Sequence, residues 1–566
     1  MQSRFRWLIA PAAPASQLAE LGVPDPLIAQ VLYNRGLRSQ DAVHEFLGEY
    51  PEIPAACSPF SMPGIHEAVG LLRWALAQDK RILVYGDYDV DGVAATALLV
   101  EGLAALGGRV THFIPNRLET GYGLDAAAIR EIAPACDVLV SVDCGIRSLE
   151  EVALARRLGM RVVITDHHLQ GDELPPADAI VSPRLRGGEA YGEIAGVGVA
   201  YELMRALCAV ELRFGERRGL ADNGLDLVAL GTVADVASLL GYNRRLVRAG
   251  LDRMRRQPRL GVQALARRAS LETGQLTAWH LAFVLGPRLN AAGRLGSALP
   301  SLQLLMSRDP ASASALAEQL EQINRTRRQL LERCLAQARQ DLAANPPTAP
   351  ILFTASESYP PGIVGLLASR LLEEWNLPVV AVALEPEKAH GSVRSTQAMN
   401  ASQALDACSD LLDKHGGHSL AAGFACRPGV VVALRQRLEA LASNTLLSAD
   451  ARPVLEVDAE TDLPGGDALL WEWGARLEPT GRGNPRPILV SRGLSVREKL
   501  LMGREGEHLS LRLASNGHEI RAVGFHMGGL FGQIGDAVDI AYELDENSYN
   551  GTTERRLLLR DVATDS

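Results

Sequence analysis

The stretch Arg81-Ile82-Leu83-Val84-Tyr85-Gly86-Asp87-Tyr88-Asp89-Val90-Asp91-Gly92 decides the fold. A short aliphatic run stops at a glycine, three aspartates follow at alternate positions, and the helix-like segment GVAATALLVEGLAALGG comes next. The pattern continues outward through VTHFI, CDVLVSVD, LEEVALARRLGM, RVVITD and DAIVSP, alternating strand-like and helix-like character. Strands and helices alternating at this spacing predict a parallel α/β sheet, and such sheets bind ligands beyond the carboxyl ends of their strands.

Carboxylates as close as Asp87, Asp89 and Asp91 raise one another's pKa unless cations sit among them. An EF-hand loop opens with the same spacing but needs Glu at its twelfth position, where this chain has Leu98, so calcium of that kind is excluded. Taken alone, the motif is also compatible with three solvated aspartates in a turn. It is not alone: Asp143 ends DVLVSVD and Asp166-His167-His168 ends RVVITD, which places both groups at strand ends on one edge of the predicted sheet. Asp235 lies in the apolar segment ALGTVADVASLL, where an unpaired carboxylate is costly to bury. Five aspartates and one neutral imidazole carry a charge of about −5, nearly cancelled by two divalent cations. Hard oxygen donors with a single imidazole suit Mn²⁺ or Mg²⁺ better than Zn²⁺.

The 566 residues are several domains' worth of chain. At 47% hydrophobic and 22% charged, the composition excludes a disordered or fibrous protein. No run approaches the length of a membrane span, and the N-terminus lacks the apolar core of an export signal, so a cytoplasmic protein without membrane contact is expected. Seven cysteines contain no C-x-x-C pair, which argues against a disulfide framework or a structural zinc site. The net charge of −10 argues naively against nucleic acid. Yet of 57 basic residues only Lys80, Lys388, Lys414 and Lys499 are lysine, which leaves 53 arginines, the better forks for phosphate.

Five regions are predicted: 1–50, a helical segment interrupted by proline; 51–240, the parallel-sheet domain; 241–345, a helical region; 346–445, a smaller α/β domain; and 446–566, a β-rich domain. The helical region ends in a long helix from Pro310 to about Ala344, roughly 50 Å at 1.5 Å per residue, read as a connector with a stripe of Leu316, Leu320, Ile323, Leu330, Cys334 and Leu342. The smaller domain rests on ILFTAS, LPVVAVAL and the helix GIVGLLASRLLEEW. From Pro453, the runs PVLEVDAE, RPILVSRG, LSVREKLL, HLSLRLAS, EIRAVGFH, AVDIAYEL and RRLLLRDV predict a small barrel, with the OB-fold the natural candidate. Trp471, Trp473, Phe525, Tyr542 and Tyr549 there are either base-stacking platforms or core.

The triplet Asp166-His167-His168 with its acidic clusters resembles the DHH phosphoesterase superfamily. Gly286-Pro287-Arg288-Leu289-Asn290-Ala291-Ala292-Gly293-Arg294, the GIVG of 362–365, Gly391-Ser392-Val393-Arg394-Ser395, His415-Gly416-Gly417-His418 and Ala421-Ala422-Gly423 are similar, in order and spacing, to its single-strand-specific 5′→3′ exonucleases over roughly residues 50 to 566. The resemblance implies a DHH domain and a smaller DHHA1 domain joined by a long helix, plus a C-terminal OB-like barrel that grips single-stranded DNA. It implies a two-metal site of Asp87, Asp89, Asp91, Asp143, His167 and Asp235 for Mn²⁺ or Mg²⁺, with Asp143 as the bridge and Asp89, Asp91, Asp143 and His168 at the chemistry. His168 is the residue that stabilises or protonates at the scissile phosphate. Arg288, Asn290, Arg294, Ser392 and Arg394 are implied to hold the 5′-terminal phosphate, and His415, Gly416, Gly417 and His418 to line the substrate side of the second lobe. Two positions depart from the pattern: Tyr85 stands where many members carry a metal-binding His, a role open to Asp87, and Val393 replaces a more usual Gly. Hydrolysis of DNA to 5′-mononucleotides in repair and recombination follows, by a monomer working beside a single-strand-binding protein and a RecQ-type helicase. The rivals are a small-substrate DHH phosphoesterase of the oligoribonuclease kind and a non-catalytic DNA-binding scaffold of replication.

Overall fold

The strand Arg81–Tyr85 lies second in a five-stranded, wholly parallel sheet. The spatial order is Arg109–Phe113, Arg81–Tyr85, Val138–Val142, Arg161–Thr165 and Ala179–Val181. The chain leaves Arg81–Tyr85 in one direction and returns on its other side, so the two neighbours Arg81–Tyr85 and Val138–Val142 flank the topological switch point, where the crevice of an open α/β sheet forms. The three central strands read as unbroken apolar runs because both faces are covered. Ile82, Val84, Val140 and Val163 face one core with the helices Val90–Ala105, Gly196–Val210 and Leu225–Ala234. Leu83, Tyr85, Leu139 and Val162 face the other, beneath Ala126–Ile132 and Leu149–Arg157. This computed structural model describes residues 3–48, 58–116, 123–210, 218–445, 452–463, 468–549 and 552–563. Most of the expected Pro51–Pro63 connector therefore lies outside the described residues; Pro59–Ser61 is a single 3₁₀ turn.

The helix Pro310–Ala344 is 35 residues long, capped by Asp309 with proline at its first position. Its buried stripe differs from the expected one: Leu320, Cys334 and Leu342 are buried, whereas Leu316, Ile323 and Leu330 only flank the cores. Ala313, Ala317 and Leu320 belong to the core of the parallel-sheet domain, and Leu331, Cys334, Leu335, Ala338 and Leu342 to that of the second lobe. Small alanines fill the stripe because neighbouring elements pack close to the helix axis. The second lobe has a five-stranded mixed sheet in the order Lys414–Gly417, Ala421–Cys426, Ala389–Arg394, Val379–Leu384 and Leu352–Ser356.

The C-terminal region is a closed five-stranded barrel of Leu489–Met502, His508–Ser515, His518–Gly524, Thr552–Ala563 and Ala537–Tyr549, the last pairing back onto the first. RPILVSRG and LSVREKLL, expected as two strands, are one long strand, kinked where its register shifts between Ser491 and Leu494. PVLEVDAE does not enter the barrel as one strand: Val454–Val457 pairs in parallel with an N-terminal strand, Arg6–Ile9, that helical patterning of residues 1–50 does not foresee. Arg244 ties these parts to the parallel-sheet domain. Only 2% exposed, it donates to the carbonyls of Phe46, Leu477, Glu478 and Pro479 at 2.7–3.0 Å and lies on the Phe46 ring. Among the described residues no helix is long and apolar enough to cross a membrane.

Candidate metal centre and cleft

The acidic residues separated by up to about 150 positions in sequence meet at one edge of the sheet. Asp89 caps the helix Val90–Ala105, its Oδ1 accepting from the backbone of Asp91 and Gly92 at 3.0 and 3.1 Å. Asp91, in the first turn, is 1% exposed and accepts from Gly196 N at 2.7 Å and Val197 N at 2.9 Å, at the start of the helix Gly196–Val210. A helix N-terminus is a natural holder of an anion. Close backbone approach explains the glycines: a methyl group on Gly231 would lie 2.8 Å from Asp91 Oδ1, and one on Gly196 would lie 2.6 Å from Asp143 Oδ1. Asp143 follows its strand with φ 60, a left-handed conformation unusual for a non-glycine residue, which turns the carboxylate into the crevice.

Asp87, Asp89 and Asp143 bring one oxygen each within 4.8 Å of the others; so do Asp91, His167 and Asp235, and so do Asp143, His167 and His168. His167 Nε2 stands 3.1 Å from Asp143 Oδ1, 3.9 Å from Asp235 Oδ2 and 4.0 Å from Asp91 Oδ2. Burial, then the neighbouring His168, pushes the His167 imidazole down to about 3, so it is neutral. Its other nitrogen is engaged with the backbone of Ile194, which leaves Nε2 as a lone pair facing three carboxylates with no hydrogen-bond partner. A lone pair turned into a nest of oxygens is repulsive by itself and attractive around a cation. The carboxylates tell the same story. Burial and then the charge of Asp89 push Asp91 up to about 7, burial with Asp91 and Asp89 pushes Asp235 up to about 9, and burial with Asp91, Asp89, Asp87 and Asp235 raises Asp143 well above the ordinary range. The donor set fits hard divalent cations.

Asp166, the first residue of the triplet, is absent from these groups. Its Oδ2 accepts from Ile146 N at 2.9 Å, while its Oδ1 accepts from His168 N at 3.0 Å and lies 2.8 Å from His168 Nδ1. Burial opposes the charge of His168, but Asp166 outweighs it and raises the imidazole. Tyr85 supplies no ligand: its ring is fully buried on the opposite core against Phe113, with 5.1 Å between centroids. Asp87 is grouped with Asp89 and Asp143.

The remaining candidates line the cleft between lobes. The helix Gly286–Leu295 packs under the acidic loop: Asn290 Oδ1 accepts from Val90 N at 3.1 Å, and a methyl on Gly293 would strike Tyr88 O at 2.5 Å. Asn290 thus braces the ligand-bearing helix. Arg288 is held by Glu321 at 2.7 Å and by the carbonyl of Val284 at 2.8 Å. Across the cleft, Arg394 donates to Ser392 Oγ at 2.8 Å and Ser369 Oγ at 3.2 Å, beside Gly365. Val393 points the other way, fully buried in the second core. Gly362 sits so close to Arg294 that an added methyl would be 1.8 Å from the Arg294 carbonyl oxygen, so the lobes touch there. His415 is turned to Asp406 at 3.0 Å. Gly417, at φ 147, leaves no room for a side chain against Ala421 and Ala422, and Gly416 is open. His418 is lowered by burial and then by the charges of His168, Arg147, Arg184 and Arg482, all on the far side of the cleft.

Comparison with known proteins identifies this assembly. Residues 81–232 match the DHH family, N-terminal domain, residues 348–444 the DHHA1 domain and residues 457–561 the RecJ OB domain. The single-stranded-DNA-specific exonuclease RecJ of Thermus thermophilus is 38% identical over 97% of this chain and 78% of its own length, and that of Bacillus subtilis 33% identical over 100% and 71%. The chain belongs to the RecJ family of exonucleases. The crystal structure of Thermus thermophilus RecJ in complex with Mn²⁺ superposes with a TM-score of 0.84 at 34% identity, covering 100% of this chain and 80% of that one, and the Mg²⁺ complex with 0.78 at 33% identity, covering 100% and 79%. As a RecJ enzyme the protein is a metal-dependent exonuclease, and Mn²⁺ or Mg²⁺ is its cofactor.

Within the RecJ architecture some expectations change. Trp471, Trp473 and Tyr542 are core residues, at most 5% exposed, and cannot stack on bases; Phe525 is 48% exposed, and the Tyr549 side chain lies outside the described residues. The RecJ OB match weighs against a small-substrate enzyme, and the complete set of acids and histidines weighs against a non-catalytic scaffold. Reading the sequence misses Asp166 as the brace of His168, Gly196 and Gly231 as the close approaches to Asp143 and Asp91, and Arg147, Arg184 and Arg482 at the cleft. The glycines of GVGVAY and LGTVAD, lying in otherwise apolar helices, were the only signal for any of these.

Proposed function

We propose that this enzyme degrades single-stranded DNA from its 5′ end, releasing 5′-mononucleotides by two-metal hydrolysis, in DNA repair and recombination. The observation that carries the reading is the neutral His167 Nε2 lying 3.1–4.0 Å from the carboxylates of Asp91, Asp143 and Asp235 at the sheet's switch point. Asp87, Asp89, Asp91, Asp143, His167 and Asp235 would hold the cations, and Asp143, common to two of the groups, would be shared. When bound, two divalent cations supply an activated water for attack on the phosphodiester and neutralise charge on the leaving side. His168, whose imidazole Asp166 raises, faces the same crevice and donates a hydrogen bond or proton to phosphate oxygen.

Arg288, Ser392 and Arg394 take the 5′-terminal phosphate, near where Gly362 meets Arg294 and closes the cleft. A cleft closed beyond one nucleotide admits an end and not an interior segment, which is what exonucleolytic action requires. A gap of fixed width between lobes passes one strand and rejects a duplex. The enzyme works as a monomer in the cytoplasm, with single-strand-binding protein and a RecQ-type helicase supplying its substrate. Oligonucleotides labelled at either end, single- or double-stranded, with Mn²⁺, Mg²⁺ or chelator, test the reading: a 5′ label should appear at once as mononucleotide, on single strands only and with metal only. Early release of a 3′ label as mononucleotide refutes the direction.

A further inference from the structure

Arg147, Arg184 and Arg482 are exposed arginines from three distant segments, each hung from the backbone of a loop that carries the metal centre. Arg184 Nε donates to the carbonyl of His167 at 3.0 Å, Arg147 Nε to that of Leu169 at 2.7 Å, and Arg482 Nη1 to that of Val236 at 3.4 Å. Val236 directly follows Asp235 and adopts φ 58, a conformation that strains a β-branched residue. It ends the helix Leu225–Ala234, and its carbonyl receives Arg482. Glu193 steadies Arg482 from the other side at 3.3 Å.

An ordinary surface arginine pairs with an acid or extends into water. Arg147 and Arg184 are exposed but anchored: one N–H is fixed to a carbonyl, and among the described residues no carboxylate pairs with either of them and no further hydrogen bond is made. Each presents four unused N–H donors in a planar fork, the shape that matches phosphate. The neighbouring carboxylates do not serve as their counter-ions, because those oxygens face one another and His167 inside the crevice. His418 looks onto the same group from the second lobe.

We propose that Arg147, Arg184 and Arg482 form a second phosphate site, which holds backbone phosphates of the strand on the 3′ side of the scissile bond. The inference rests on the reading of the cleft as a single-strand exonuclease site. The side is set by placement: Arg288, Ser392 and Arg394 lie toward the lobe junction, whereas Arg482 comes from the segment Thr480–Pro485, just before the barrel's first strand. A strand leaving the metal centre toward the barrel passes these guanidinium groups.

The test uses the full chain with Mn²⁺ and 5′-phosphorylated single strands in which one linkage at a time is a neutral methylphosphonate. Arg147→Ala, Arg184→Ala and Arg482→Ala should each lower kcat/KM about 10- to 100-fold, chiefly through KM, the size of a hydrogen bond to a charged group. The salt slope of binding should fall by about 0.7 for each arginine removed. Neutralising the contacted linkage should cost the wild type the same factor and the cognate variant nothing more. The rise in melting temperature on adding Mn²⁺ should stay at the wild-type value, since a residue that only braced a ligand loop would lower it. Penalties that multiply independently at every linkage, or a lost response to Mn²⁺, overturn the phosphate site. If the wild type degrades unmodified strands and the variants keep its full rate, this site alone falls; if the wild type leaves those strands intact, the exonuclease reading falls and takes the site with it.

Discussion

Removing divalent cations should make the catalytic domain progressively less stable as pH rises, whereas with Mn²⁺ present the same titration should leave it nearly unchanged. Asp91 is pushed up to about 7 by burial and then the charge of Asp89, and Asp235 to about 9 by burial and then the charges of Asp91 and Asp89, against an ordinary value of 3.8. A carboxyl whose folded pKa exceeds its unfolded one favours the fold fully below the unfolded value, and that contribution is lost as pH climbs through the folded value. In that window each proton kept by the fold but not by the unfolded chain costs about 1.4 kcal/mol per pH unit. Between about pH 5 and about pH 8, Asp235 keeps its proton throughout and Asp91 up to about pH 7, so the metal-free fold should lose on the order of 7 kcal/mol, comparable to a domain's whole stability. Cations bind the ionised carboxylates and displace those protons, which removes the dependence. Scanning calorimetry across that range, in chelator and in Mn²⁺, reads the effect directly, and Asp235→Asn should take away the larger share of the slope. Parallel curves with and without metal would show that these carboxylates do not surround a cation.

Asp143→Ala should abolish Mn²⁺-stimulated degradation while far-ultraviolet circular dichroism stays that of the wild type; near-normal turnover would contradict the bridging role. Arg394→Ala should weaken strands bearing a 5′-phosphate by roughly tenfold or more relative to 5′-hydroxyl strands, one charge-assisted contact, as measured by kcat/KM on both; equal losses would remove it from the end pocket. Asp166→Asn removes the anion that raises His168, so the alkaline limb of the pH–rate profile should move to lower pH, and an unmoved limb would separate His168 from catalysis.

The convergence of the candidate metal ligands could be read from sequence because parallel strands carry their C-terminal ends to one edge: Asp87, Asp143 and His167 each follow a recognisable apolar run, and topology brings them together. Asp235 was visible for a different reason, as a charge inside an apolar segment; it lies directly after the helix Leu225–Ala234. The long helix showed itself by length and by its Asp-Pro start, but not its exact stripe, since alanine at 313, 317 and 338 carries little hydrophobic signal. What pairs over long separations stayed hidden. The strand Arg6–Ile9 meets Val454–Val457 by backbone hydrogen bonds that leave no side-chain pattern in a four-residue run. Arg147, Arg184 and Arg482 bind carbonyls, which every residue possesses, so nothing in the sequence marks them apart from the other arginines. Trp471 and Phe525 look alike as letters; Trp471, on the helix Ala468–Arg476, packs into the barrel core, whereas Phe525, in the turn after the strand His518–Gly524, is exposed.

The helix Pro310–Ala344 is owned by two interiors at once, Ala317 and Leu320 sealed into one and Leu335 and Ala338 into the other. A rod embedded at both ends is an axle rather than a tether. Spreading the lobes apart would tear apolar contacts out of one interior. On the proposed reading, the bore between them would be set when the chain folds, before any strand arrives, and the substrate would be gauged by calibre, as by a fixed die.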